Sequence, residues 1–123
     1  MMDRRSVLAA GAAASAGMAA SVPAAGAAPP TYFVIQHSPG PAWRPGVDFR
    51  QQPGLGEHGR YYSQIMDKGL IVMGGPFLDN SGGMQILSTA TEAEAQAIAA
   101  ADPGVKSGLL SAKVRPWMAA FVR

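Results

Sequence analysis

The chain has 123 residues, no cysteine and a formal charge of +2. That length allows one domain, and the missing thiols exclude disulfides, thiolate metal sites, iron–sulfur clusters and a cysteine nucleophile. The pI near 9.3 does not point to nucleic acid: beyond residue 27 eight basic residues stand against seven acidic ones, with no basic cluster for phosphates to meet.

Residues 1–27 read as an export signal rather than as part of the fold. Arg4 and Arg5 are followed at once by Ser6, Val7 and Leu8, then by an uncharged stretch rich in Ala and Gly. The arginine pair with a weakly apolar middle resembles a twin-arginine signal. Ala25-Gly26-Ala27 is the expected cleavage motif and Pro23-Ala24-Ala25 a second candidate, so the mature domain is expected to span 28–123 and to be periplasmic or otherwise exported. Gly11, Gly17 and Gly26 weigh against a domain helix, and the scarcity of Leu, Ile and Phe weighs against a permanent span. No membrane anchor is expected after cleavage.

The first strand is predicted over residues 31–37, TYFVIQH, with apolar or aromatic residues on both faces. A long loop follows over 38–54, rich in proline and glycine. Residues 55–68 have a helical period, in which Leu55, His58, Tyr62 and Ile65 share one stripe, and Gly69 stops the helix. A second strand is expected over 70–74, a reversal at Asp79-Asn80-Ser81-Gly82 and a third strand over 84–89. Thr91 and Glu94 form a capping box opening an alanine-rich helix, with Ala93, Ala97 and Ala100 or Ala101 expected on one face and Ile98 beside them. That helix ends at Asp102-Pro103. After a short link, a fourth strand is predicted over 109–115, closed by Pro116-Trp117.

The order β-α-β-β-α-β predicts an α+β, ferredoxin-like two-layer sandwich with both helices on one face of an antiparallel sheet. Two helices cannot cover the other face. Its apolar residues therefore predict an association surface, and the chain is expected to be a homodimer.

Three residues can carry chemistry. His58 lies on the apolar stripe of the first helix, where it is either a core histidine bonded to a backbone carbonyl or a general acid/base. Asp102 stands at a helix C-terminus, where the dipole disfavours an anion. It either caps the turn beginning at Pro103 or serves a site. A carboxylate meeting His58 would hold the imidazole in one tautomer. His37 ends the first strand at the mouth of the long loop. His37, His58 and Asp102 have the composition of a two-His-one-carboxylate metal site, but no i,i+4 or H-x-H spacing supports one, and no metal is expected. Walker and G-x-S-x-G motifs do not occur.

The stretches YFVIQHSPGPAW, GLGEHGRYYSQIMDKGLIVMGGPF and AAADPGVKSGLLSAKVRPW together resemble the YCII-related family. The marks are a helix-borne histidine before a strand ending in GGP, an alanine-rich helix ending in Asp-Pro, and a last strand closing on V-x-P-aromatic. The resemblance implies a dimeric α+β barrel and matches His58 and Asp102 to the family's histidine and aspartate. A relative is a dehydrochlorinase of a chlorinated hydroxyhydroquinone, and similar barrels host lactone isomerases and cofactor-free monooxygenases. The implied function is cofactor-free His/Asp acid–base chemistry, of lyase or isomerase type, on a small cyclic or aromatic compound. His37, Trp43, Gly75 and Pro76 are the expected substrate contacts, with Trp43 and Phe49 as lid residues. The alternative is a non-catalytic exported dimer that captures a small apolar or aromatic ligand in the dimer's barrel, with Met73, Met84 and Trp117 lining that pocket. Contact between His58 and Asp102 at an open pocket favours the enzyme. Asp102 folded onto its own turn with His58 sealed in the core favours the binder.

Overall fold

The computed structural model describes residues 31–123; the expected export signal and the domain boundary at residue 28 lie outside the described residues. Strand β1 (Thr31–Pro39) is central. It pairs antiparallel with β4 (Leu110–Met118) on one side and with β3 (Gly83–Leu87) on the other. Strand β2 (Ile71–Pro76) pairs antiparallel with β3, giving the sheet order β2-β3-β1-β4. Helices α1 (Leu55–Asp67) and α2 (Glu92–Ala101) complete the ferredoxin-like α+β sandwich. No helix among the described residues is long and apolar enough to cross a membrane.

Strand parity decides what meets the helices. Residues 33, 35 and 37 of β1 share one face, and there Ile35 and His37 are buried. Ile35 and Leu87 from the sheet, Tyr62 and Ile65 from α1, and Ala95 and Ala99 from α2 form the core. Each large aliphatic side chain so buried contributes about 1.5–3 kcal/mol. The stripe expected on α1 is the one that faces the sheet, and Tyr61 fixes α1 against α2 by donating its hydroxyl to the Ile98 carbonyl at 2.7 Å.

The capping box forms with its return bond one residue early, at Ala90 instead of the N-cap Thr91. Thr91 Oγ1 accepts from the Glu94 amide at 3.1 Å, and the Glu94 carboxylate accepts from the Ala90 amide at 2.9 Å. The expected face of α2 is corrected: Ala95 and Ala99 are buried, whereas Ala93, Ala97 and Ala100 are exposed. A helix with alanine at most positions has almost no hydrophobic period, so its phase is set by the capped start and by Ile98. The link after α2 also differs. Pro103–Lys106 is a further helical turn, α3, because proline suits a first helical position and Asp102 caps it.

As the count of two helices requires, the sheet's far face is left uncovered within one chain. The sheet's far face carries Val34, Met84 and Ile86, half-buried, and exposes Gln36, Lys113 and Arg115. Tyr32 and Trp117 lie against each other there, their ring centroids 6.1 Å apart. The far face is therefore apolar at its centre and cationic along β4.

The long loop is fastened rather than loose. Buried Gln52 donates to the carbonyls of Arg44 and Val47, and its own carbonyl oxygen accepts from the Arg44 amide. Gly40 and Ala42 donate backbone bonds to Leu109 and Gly108. Asn80, in left-handed backbone at the predicted β2–β3 reversal, accepts from the Phe49 amide at 2.9 Å. The hairpin tip thereby holds the short 3-10 turn at Phe49–Gln51 in place.

Candidate active site

Between the sheet and α1 lies a cavity of about 500 Å³. His37 from β1 and His58 and Tyr62 from α1 meet on its wall, Gly75 and Pro76 come from β2, and Trp43 and Phe49 come from the loop. The four expected substrate contacts and both expected lid residues therefore line one cavity. Met73, Met84 and Trp117 do not line it. Met73 is exposed, and Met84 and Trp117 border a shallow depression on the far face. The reason is parity: Gly83, Gln85 and Leu87 point to the helices, so Met84 points away.

His58 and Asp102 are in contact. His58 Nδ1 stands 2.8 Å from Asp102 Oδ2, with the Asp102 side chain 0% and the His58 side chain 13% exposed. The other oxygen, Oδ1, accepts from the Gly104 amide at 2.7 Å. Capping and site geometry, alternatives at the level of spacing, hold at once with one oxygen each. A carboxylate buried without partners would cost several kcal/mol; here both oxygens are hydrogen-bonded. In a neutral imidazole the Nδ1 proton is donated to Asp102, which leaves the lone pair on Nε2.

Gly104 is a site residue that spacing does not reveal. A Cβ there would lie 3.1 Å from His58 Nδ1 and 3.2 Å from Asp102 Oδ1. A larger residue would push the histidine ring or the carboxylate aside by a few tenths of an ångström. The tripeptide Asp-Pro-Gly is the available signal. Tyr62, which helical spacing places only on the core stripe, also lines the cavity.

His37 is 2% exposed, and neither of its ring nitrogens has a hydrogen-bond partner among the described residues; the same holds for the Tyr62 hydroxyl. Burial, and then the nearby His58, lower the His37 pKa to about 4 against the opposing pull of Asp102. Burial, and then Asp102, push the Tyr62 phenol up. Three rings gather here: centroids are 5.0 Å apart for His37–His58, 5.6 Å for His37–Tyr62 and 5.1 Å for His58–Tyr62.

The metal-type trio is also brought together, with one ligand atom of each of His37, His58 and Asp102 within 4.8 Å of the others. Chain spacing is a poor guide to that proximity. Both Asp102 oxygens are already engaged, so a cation bound by this carboxylate would compete with His58 or with the α3 cap.

A comparison with curated proteins finds no match. Among solved structures, the chain is similar to the 5-chloro-2-hydroxyhydroquinone dehydrochlorinase of Burkholderia phenoliruptrix AC1100 in complex with 2,5-dihydroxybenzoquinone. The TM-score is 0.55 at 23% identity, over 70% of this chain and 92% of that one. At that identity the likeness shows the shared fold. The model of the YCII-related domain matches residues 33–118, from the second residue of the central strand's inward face to the end of β4, and the chain belongs to this family.

Proposed function

We propose that the protein is an enzyme that moves a proton on a small cyclic or aromatic compound, with His58 as the acid/base and Asp102 as its positioning partner. One observation carries this reading: a wholly buried carboxylate bonded to Nδ1 of a histidine on the wall of an open, ring-sized cavity. Asp102 fixes the tautomer that leaves Nε2 free to take a proton. With a leaving group on the neighbouring carbon, the C–H electron pair becomes the new C=C bond and the leaving group departs with its own pair. Without one, His58 returns the proton elsewhere, which is an isomerisation. Trp43, Phe49 and Tyr62 suit a ring, and the Burkholderia protein of the same fold acts on an aromatic compound. The His58–Asp102 contact at an accessible cavity favours catalysis over simple capture.

Export through a twin-arginine signal and a homodimer closed over the far sheet face belong to the same proposal. The sequence of residues 1–27 supports the first, and the apolar centre around Val34, Met84 and Ile86 supports the second.

The test is proton exchange rather than a guessed turnover. In D2O, the protein should speed exchange of carbon-bound protons of resorcinol or 2-cyclohexenone, followed by NMR, and His58→Gln should lose at least about 100-fold of that acceleration. Equal exchange with wild type and His58→Gln would refute the acid–base role.

A further inference from the structure

We infer that His37 and Tyr62 are the ligand-oxygen contacts of the cavity, and that they select an uncharged, oxygen-bearing ring compound over an anion. The inference rests on the proposed function above and names the substrate class of that site.

Two observations carry it. The first is the pair of unpartnered groups. His37 and Tyr62 are both more than nine-tenths buried, both line the cavity, and neither the His37 nitrogens nor the Tyr62 hydroxyl is bonded among the described residues. Leaving such groups unpaired is costly, so native proteins usually satisfy them. Two of them stand side by side at one cavity wall, their rings in edge contact with centroids 5.6 Å apart, and a ligand oxygen reaching that wall would supply the missing partner. Both are held uncharged at neutral pH, since burial lowers the imidazole pKa to about 4 and raises that of the phenol. A neutral imidazole offers one donor and one acceptor, and a phenol offers both roles. The pair therefore recognises a hydroxyl or a carbonyl oxygen without a countercharge.

The second observation is the charge lining the cavity. Among the described residues that line it there is no lysine or arginine, and the carboxylate of Asp67 stands among them while Asp102 lies behind His58. A carboxylate or phosphate ligand would find no cation to pair with and two anions to oppose it. A neutral ring meets Trp43, Phe49, Leu55 and Ile71 instead.

The placement also explains how the oxygen contact would serve His58. The His58 ring is 5.0 Å from His37 and 5.1 Å from Tyr62. Hydrogen bonding to an oxygen next to the carbon whose proton His58 would take acidifies that carbon.

The experiment is a binding series by calorimetry with three ring probes of similar size: resorcinol, benzoate and toluene. Wild type should bind resorcinol at least about 10-fold more tightly than benzoate. Tyr62→Phe and His37→Leu should each weaken resorcinol at least about 10-fold, one lost hydrogen bond's worth, while toluene affinity stays within about 2-fold. Retained toluene binding shows that the cavity is intact, which a merely structural role for either side chain would not separate from resorcinol. Benzoate binding as tightly as resorcinol, unchanged resorcinol affinity in both variants, or no binding of any probe at millimolar concentration would each overturn the inference. Failure here is distinct from failure of the acid–base role: proton exchange that depends on His58 can survive an unchanged Tyr62→Phe, and the converse holds equally.

Discussion

Replacing His37 by leucine should stabilise the fold, and by more as the pH falls. The imidazole is 2% exposed with both nitrogens unpartnered among the described residues, so removing its polar atoms relieves a desolvation cost of about 1–3 kcal/mol. Leucine is close in size and inherits the contact with the Tyr62 ring. The pH dependence follows from the lowered pKa, about 4 in the folded state against 6.5 for the free group. Between these values the unfolded chain carries a proton on His37 and the folded chain does not. Unfolding then takes up a proton, and wild-type stability falls as the pH drops through this window. The loss is absent above 6.5, amounts to about 2 kcal/mol near pH 5, and levels off at about 3 kcal/mol below pH 4, because a tenfold difference in proton affinity between the two states is worth about 1.4 kcal/mol. Urea unfolding of wild type and His37→Leu at pH 7.5 and at pH 5 measures it. The stability gap should widen by about 2 kcal/mol on acidification. A gap that stays constant, or a leucine variant less stable at both pH values, would show that the folded protein satisfies or protonates His37, and the argument from its burial would fail.

Other perturbations separate the parts of the site. Asp102→Asn keeps an oxygen for the Gly104 amide but offers an amide N–H to His58 Nδ1, which should shift the ring proton to Nε2; nitrogen NMR shifts should report the other tautomer, with exchange activity down about 100-fold or more. Gly104→Ala sets a methyl group 3.1 Å from His58 Nδ1 and should cost about 1–3 kcal/mol in thermal unfolding while lowering activity through the displaced ring. Gln52→Leu strands the Arg44 amide and the carbonyls of Arg44 and Val47. It should cost roughly 2 kcal/mol and open residues 41–51 to limited proteolysis, whereas unchanged protection would show that the loop is held elsewhere.

How far the site is legible in the sequence depends on the distance over which each signal acts. The stripe Leu55, His58, Tyr62, Ile65 follows from helical geometry alone, and so does the inward placement of His58. Asp102 is conspicuous because an anion at a helix C-terminus opposes the dipole. Their meeting, 44 residues apart, is a property of the β-α-β-β-α-β arrangement, and only the family resemblance points to it. His37 shares its face with Ile35 by strand parity. Tyr62 looks like core because a tyrosine on an apolar stripe usually is; its unpartnered hydroxyl exists only in three dimensions. Met84 and Trp117 suit an apolar pocket by residue type, and parity turns them to the sheet's far face, away from the cavity; register, which residue type does not give, decides which pocket they can line. The alanine-rich α2 shows its ends through caps and withholds its phase.

Asp102 also shows why the site and the fold are hard to separate in this chain. The residue ends α2 and begins α3, in extended backbone between two helical segments. At the end of α2 its charge is unfavourable; at the start of α3 the same charge is favourable, and the Gly104 amide takes one oxygen. That bond fixes the plane of the carboxylate independently of His58. Little rotamer entropy is then lost when the second oxygen meets Nδ1, and the imidazole finds a partner already oriented. A carboxylate on a regular helix face would have to be immobilised by the histidine itself. The Asp-Pro-Gly corner immobilises it through the backbone instead, so any change that straightens the corner, whether at Pro103 or at Gly104, should reach the chemistry without touching either member of the pair.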